Sequence, residues 1–446
     1  MALTGLDIFK LLPKTNCGDC GKPTCLAFAM QLAAKKASLD ECPHASPAAK
    51  EALAGASAPP IRKVSIGIGD TALVIGEETV LFRHEEKFHH PAGVAVRVMD
   101  DLGEAQIKAR VEKINRLEFE RVGQRLAVDL IAVENKSGSG ATFARAAKTV
   151  ADNTKFGLVL ISSSPENMKP AVDAVKARKP LVYGADATNF AAMAAIAKEA
   201  ACPLGVVADG IEALAELTEK IKAAGVQDMV LDPGSRDLKT TLHNLTRIRR
   251  AALKRTFRPL GFPTIAFACS EDPFDEIARA STFMTKYAAI IVVDSVEPSQ
   301  IIPLLTVRQN IYTDPQKPIQ VKPGLYEIGD VSENSPVMFT TNFSLTYFTV
   351  EGDVSASRVP SFIIAVNTEG MSVLTAYSGD KLNEKVVAEA IKSCGIESKV
   401  KHRKLIIPGY VAVMSGKLEE ATGWEVLVGP KESSFIPKFL QTQWKS

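Results

Sequence analysis

Four of the seven cysteines in this chain fall at positions 17, 20, 25 and 42. They read Cys17-Gly18-Asp19-Cys20-Gly21-Lys22-Pro23-Thr24-Cys25, with Cys42-Pro43 following after sixteen intervening residues. Thiolates so grouped can ligate a soft metal. Zinc accepts four of them, but its usual spacing is two knuckles of similar size. Here one loop offers three sulfurs and a lone fourth arrives from a distance, which suits a cubane [4Fe-4S] cluster better. Gly18 and Gly21 let the loop curl and turn backbone N–H groups toward the sulfides. Disulfides are not expected, because Met1–Asp7 lacks a secretory apolar segment and the chain reads as cytoplasmic. Cys17, Cys20, Cys25 and Cys42 are therefore the candidate metal ligands. Cys202, Cys269 and Cys394 are isolated in apolar stretches and read as small core residues. A helix is expected over 26–37, bridging the third and fourth ligands, with Leu26, Met30 and Ala33 on its apolar face. His44 reads as a solvent-exposed residue rather than a partner of the cluster.

A second set of candidates lies near the C-terminus. Strands are predicted at Val337–Thr340, Phe362–Val366, Leu405–Ile407 and Val426–Val428. Each runs into a turn of small or hydroxyl residues: Thr340-Thr341-Asn342, Thr368-Glu369-Gly370-Met371-Ser372-Val373, Pro408-Gly409 and Gly429–Ser434. A parallel sheet with these turns brings its strand ends to one crevice. Backbone N–H groups and hydroxyls there suit a ligand rich in amide, carbonyl and phosphate groups. Residues 326–446 also hold both tryptophans, Trp424 and Trp444. These aromatics either face a large flat ligand or simply pack the core of a doubly wound domain.

The elements between these two regions must carry them. Eight short apolar runs occur at Gly93–Val98, Ala127–Val133, Leu158–Ile161, Leu181–Tyr183, Leu204–Val207, Met229–Leu231, Thr264–Ala268 and Ala289–Val293. Helical stretches such as Ala191–Ala200 and Ile211–Ala224 separate them. The count and the length fit a (β/α)8 barrel better than an open sheet. Its mouth would hold Glu134, Asp186, Asp209, Asp232, Glu271, Asp272 and Asp294, with no His. These acids read as helix caps; a partner-binding face is the alternative. Residues 61–86 predict a leading hairpin. Residues 46–60 read as a short helix running into a linker over 51–60, and residues 308–335 as a second linker. Ser137–Thr142 lacks the Gly-Lys-Ser/Thr of a P-loop, and Gly67-Ile68-Gly69 lacks the third glycine of a dinucleotide fingerprint. No HExxH or Gly-x-Ser-x-Gly motif occurs.

Net charge is +2, hydrophobic residues make up 46% and charged residues 23%. That balance gives no reason to expect a nucleic-acid or membrane partner, and no run is long enough for a membrane span.

The Leu11–Ala29 segment with Cys42-Pro43, and the Thr340–Thr346 and Thr368–Val373 segments, resemble the large subunit family of corrinoid iron–sulfur proteins of the acetyl-CoA pathway of anaerobic carbon fixation. The resemblance covers the whole chain. It implies a multidomain α/β protein: a [4Fe-4S] domain over 1–58, a TIM-barrel domain with its leading hairpin over 59–325, and a doubly wound, Rossmann-like corrinoid domain over 326–446. It further implies that Thr340, Thr346, Gly370, Met371, Ser372, Val373 and Ser433 contact the corrinoid. A small barrel subunit would complete a heterodimer. The cobalt would take a methyl group from methyltetrahydrofolate through a methyltransferase and pass it to acetyl-CoA synthase. On this reading the chain is a carrier rather than an enzyme with its own substrate pocket.

No Asp-x-His-x-x-Gly motif occurs, and His402 is embedded in charge, so a base-off cobalt with no protein His ligand is expected. Loss of the lower ligand favours Co(I), the nucleophile, which is also easily oxidised. The cluster, fed by an electron donor, would relay one electron to restore it. The competing readings are a barrel methyltransferase that binds a pterin itself, and a ferredoxin-like electron carrier without a corrinoid.

Overall fold

The computed structural model describes residues 5–33, 37, 39–46, 49 and 59–444. The linker expected over 51–60 lies, except for Pro59 and Pro60, outside the described residues. The chain forms two compact units. One comprises residues 1–118 and 127–312, the other 119–126 and 313–446.

The first unit begins with helices Gly5–Leu11 and Cys25–Ala33. Ile8, Leu12, Cys25, Phe28, Ala29, Cys42 and Ala45 form their shared core. The predicted helix is there from Cys25 to Ala33, residues 34–36 of the expected span lying outside the described ones, but its inner stripe differs. Cys25, Phe28 and Ala29, spaced i, i+3, i+4, are buried, whereas Leu26 and Met30 are 40% and 56% exposed. Phe28 is the largest apolar side chain on the helix, and its burial sets which face turns inward.

The leading hairpin is present as antiparallel β1 (Val64–Ile66) and β2 (Leu73–Ile75). β3 (Gly93–Met99) follows. The chain then makes a hairpin of β4 (Glu118–Arg121) and β5 (Gln124–Ala127), whose residues 119–126 belong to the second unit. The remaining strands of the first unit are β6 (Leu130–Glu134), β7 (Gly157–Ile161), β8 (Leu181–Ala185), β9 (Leu204–Val207), β10 (Met229–Asp232), β11 (Ile265–Phe267) and β12 (Ile290–Val293). With β3 they make one parallel sheet of eight strands in the order β10-β9-β8-β7-β6-β3-β12-β11. A parallel bridge from Leu231 to Thr264, and the Leu231 N–H on the Pro263 carbonyl at 2.8 Å, bring the two end strands together. The eight predicted strands thus form a near-closed barrel. Its interior is a layered apolar core including Ala95, Leu130, Val159, Leu181, Val230, Ile265 and Ile290, to which the hairpin adds Val64, Ile66 and Ile75.

The second unit is a five-stranded mixed sheet. β13 (Gly324–Ile328), β14 (Val337–Thr341), β15 (Ser361–Val366), β16 (Lys404–Ile407) and β17 (Glu425–Val428) stand in the order β13-β15-β14-β16-β17. The four predicted strands are parallel. β13 is antiparallel to β15 and lies inside the segment read as a linker over 308–335. The start of that segment is also structured, since helix Pro298–Tyr312 runs into it. The Pro- and Gly-rich composition there masked a short edge strand, a place where prolines and glycines are tolerated. Most of the aromatics are structural: Trp424, Phe362 and Phe339 lie in one core layer, and Tyr347 in the other.

Candidate functional site

The N-terminal loop is built for sharp curvature. Lys14, Asn16, Gly18 and Gly21 all have positive φ, and the Gly21 N–H closes on the Gly18 carbonyl at 2.8 Å. Asn16 Oδ1 accepts the Cys25 N–H at 2.8 Å, tying the loop to the start of the helix. Cys25 and Cys42 are buried in the small core, Cys20 packs against it and Cys17 is exposed. The loop thereby carries three thiols and the Leu39–Glu41 turn presents the fourth. His44 is half-exposed, as expected, but it has a partner: its ring nitrogen lies 2.7 Å from Asp19 Oδ2. That contact, and the Cys17 thiol, hold the Asp19 carboxyl below its usual range.

The other three cysteines behave as packing residues. Burial pushes the Cys202 thiol up to about 11 and the Cys269 thiol up to about 12, and raises that of Cys394.

At the barrel mouth Glu134, Asp186, Asp232, Asp272 and Asp294 are engaged by the chain itself. Arg97 on β3 grips Asp294 with two hydrogen bonds of 2.7 Å and reaches Glu134 at 2.8 Å. Burial opposes the Arg97 charge, but Asp294 and Glu134 outweigh it and raise its pKa. Asp232 pairs with Arg236 at 2.9 Å and accepts the Tyr183 hydroxyl at 2.5 Å. Asp186 accepts from the Thr188 N–H at 2.7 Å, and Asp272 caps helix Pro273–Thr285 through Phe274. Caps alone do not account for the mouth, because three of its acids, Glu134, Asp232 and Asp294, are paired with arginines from within the barrel sequence. Arg97 was not legible as a mouth residue, since a strand interior usually reads as apolar.

The main cavity of the second unit has a volume of 340 Å³, within the range of ligand pockets. It opens between β14 and β16. Strand order β15-β14-β16-β17 means that the chain steps outward from β14 in one direction and then returns to build in the other. The crevice therefore lies at the switch point, outside the carboxyl ends of the strands, where open α/β sheets bind ligands.

Five of the seven candidate contact residues line this cavity: Thr340, Thr346, Ser372, Val373 and Ser433. Gly370 and Met371 do not line it; they form the turn that leads to Ser372. Asn342 holds that turn. Its Oδ1 accepts the Thr368 N–H at 2.9 Å, the Thr368 hydroxyl at 3.1 Å and the Gly370 N–H at 3.2 Å. Gly370 has φ +76°, and a Cβ there would meet Gln320 at 2.6 Å. The cavity floor comes from Met338, Ile406, Ile436, Phe439 and Leu440, and its rim carries the half-exposed Leu345, Leu374 and Tyr410. These residues were not singled out beforehand. Their signal is helical or strand spacing alone, which marks core and pocket wall alike. His402 is not in the lining; its ring bonds the Ser335 carbonyl at 2.9 Å and packs edge-on against Trp444.

The Thr340 hydroxyl is the telling group. Thr340 is 1% exposed, and its Oγ1 has no hydrogen-bond partner. A buried orphan hydroxyl is costly, and here it sits at a cavity wall. The residues present therefore fit a ligand with polar groups on an otherwise apolar body.

A family model described as "CO dehydrogenase/acetyl-CoA synthase delta subunit" matches residues 63–440, and one described as "Putative Fe-S cluster" matches residues 12–44. The corrinoid/iron–sulfur protein large subunit of Moorella thermoacetica is 49% identical over 446 residues, covering 100% of both chains. The chain belongs to the corrinoid/iron–sulfur protein large-subunit family. The acetyl-CoA decarbonylase/synthase complex subunit gamma of Methanothermobacter thermautotrophicus is 40% identical and covers 99% of each chain. Match to these large and gamma subunits extends through the cysteine segment, which the delta-subunit model does not reach. The 7,8-dihydropteroate synthase of Vibrio fischeri is a similar solved structure at TM-score 0.39 and 15% identity, covering 49% of this chain and 93% of that one. Among the described residues of this family member, no helix is long and apolar enough to cross a membrane.

Proposed function

We infer that this chain is the corrinoid-carrying large subunit of a methyl-transfer complex. It would receive a methyl group from methyltetrahydrofolate through a methyltransferase and deliver it to acetyl-CoA synthase. A small barrel subunit would be its partner. The observation that carries this reading is the switch-point cavity with its orphan Thr340 hydroxyl, in a chain that also bears the Cys17–Cys42 set.

When bound, a cobalt corrinoid supplies the nucleophile and leaving group for methyl transfer, and a [4Fe-4S] cluster supplies single electrons. The chain's own residues have four tasks. Cys17, Cys20, Cys25 and Cys42 would hold the cluster. Thr340, Thr346, Ser372 and Ser433 would hydrogen-bond polar groups of the corrinoid's tail. Gly370 and Met371, held by Asn342, would set the height of Ser372 and Val373. Leu345, Leu374 and Tyr410 would underlie the macrocycle, which is too large for the cavity itself. With no Asp-x-His-x-x-Gly motif in the sequence and His402 outside the cavity lining, the reading includes a base-off cobalt without a protein His ligand. The three-part organisation over 1–58, 59–325 and 326–446 goes with this reading, as do a cytoplasmic setting and an external electron donor.

Metal analysis of anaerobically purified protein tests it. About four iron and one cobalt per chain, without zinc, are expected. Iron without cobalt, in a protein that takes up no corrinoid when one is added, would favour an electron carrier instead. Affinity for a methyl-pterin in the isolated chain would favour a barrel methyltransferase. The ion pairs that occupy the mouth, Arg97 with Asp294 and Asp232 with Arg236, make that second outcome the less expected one.

A further inference from the structure

The cavity has two charged side chains in its lining, Lys431 and Glu432. They are adjacent in sequence but differently placed. Glu432 is engaged: its Oε1 accepts the Tyr410 hydroxyl at 2.6 Å. Lys431 forms no ion pair with any described residue. Its backbone is nonetheless fixed. The Gly409 N–H donates to the Pro430 carbonyl at 3.1 Å, and the Gly429 N–H to the Ile407 carbonyl at 2.9 Å. The two loops touch so closely that a Cβ on Gly409 would lie 2.6 Å from the Gly429 oxygen and 2.8 Å from the Lys431 nitrogen. The backbone that carries the exposed Lys431 is thus anchored at the cavity edge, while the neighbouring carboxylate is tied to a tyrosine.

A corrinoid with a nucleotide tail carries one formal anion there, a phosphodiester. Placing it against a largely apolar cavity is unfavourable unless a charge or several donors meet it. Neutral donors are present in Thr340, Thr346 and Ser433. The lining supplies one cation.

We propose that Lys431 is the charge partner of the phosphodiester in the bound corrinoid's tail. This rests on the corrinoid reading above. Lysine acts on phosphate as a point charge, so the contact needs reach rather than a fixed fork geometry. The Tyr410–Glu432 bond favours it by giving the carboxylate a partner other than the ammonium.

The test is a binding titration of the full chain with cobalamin and with cobinamide, which lacks both phosphodiester and base. Wild type, Lys431→Gln and Lys431→Arg are compared at low and high salt. Lys431→Gln should raise the cobalamin Kd about tenfold, flatten its salt dependence and leave the cobinamide Kd unchanged. Lys431→Arg should restore most of the cobalamin affinity. Unchanged cobalamin binding in Lys431→Gln overturns the proposal. So does an equal loss for both ligands, which would mean a deformed cavity. If wild type binds neither ligand, the corrinoid reading itself fails and the proposal falls with it.

Discussion

Met338 stands in parallel register with Ile406, and that pair joins β14 to β16. Both residues also line the 340 Å³ cavity. The point at which the C-terminal sheet changes direction is therefore also the floor of its cavity. The helices Ser344–Ser357 and Ile436–Thr442 supply the side walls through Thr346, Thr349 and Phe439.

Thr340→Val tests whether the orphan hydroxyl belongs to the ligand. The substitution keeps the shape and removes a buried donor that nothing in the chain meets. Stability of the corrinoid-free protein should stay level or rise by roughly 1 kcal/mol. Corrinoid affinity should fall about fivefold. Urea unfolding and a binding titration read the two effects separately. A loss of stability without a loss of affinity would assign the hydroxyl to the fold.

Gly409→Ala tests the contact between the loops after β16 and β17. A Cβ there meets backbone atoms that cannot rotate away. About 2 kcal/mol of destabilisation is expected, seen as an earlier unfolding transition. Gly352→Ala is the contrast. It lies in helix Ser344–Ser357 with open space around its Cβ position, and should stabilise by about 0.5–1 kcal/mol.

Arg97→Met tests the barrel mouth. It removes the cation that Asp294 and Glu134 share, leaving Arg110, which bonds the Asp294 carbonyl at 2.6 Å, as the nearby positive charge. A loss of about 2–4 kcal/mol is expected, with corrinoid binding unchanged. A change in corrinoid affinity at preserved stability would show that the mouth takes part in the site.

Thiol alkylation at pH 8 distinguishes the two classes of cysteine. Cys202 and Cys269, with pKa values of about 11 and about 12, are protonated there. Both groups titrate well above the working range, so their thiolate fraction grows as pH rises and stays negligible at neutrality. In native protein stripped of its metal, mass spectrometry should find label on the exposed Cys17 and none on Cys202 or Cys269. Equal labelling of all three would contradict the burial described here.

The sequence carried the barrel well because its eight strands are short apolar runs between amphipathic helices, and such runs have little choice of partner. The cysteine loop was equally plain, since its spacing is itself the chemistry. The cavity was legible only at its strand-end turns. Thr340 and Ser372 stood out as hydroxyls in turns, whereas Met338, Phe439 and Leu440 look like any core residues. Which apolar residues face a cavity is set by the reversal of strand order, and that is a property of topology. The antiparallel β13 was hidden by its Pro- and Gly-rich surroundings. At the mouth, Arg97 was hidden by its position within a strand, where its charge makes sense only beside Asp294 from a residue almost two hundred positions away.

The division of labour between cluster and corrinoid is the centre of this account. Cys20→Ala, purified anaerobically and loaded with corrinoid, tests it most directly when the recovery of reduced cobalt is followed by absorbance alongside methyl acceptance by protein already reduced. The account predicts that electron-driven recovery is lost and that methyl acceptance by the reduced protein stays at the wild-type rate. Recovery at the wild-type rate, or loss of both, would contradict it.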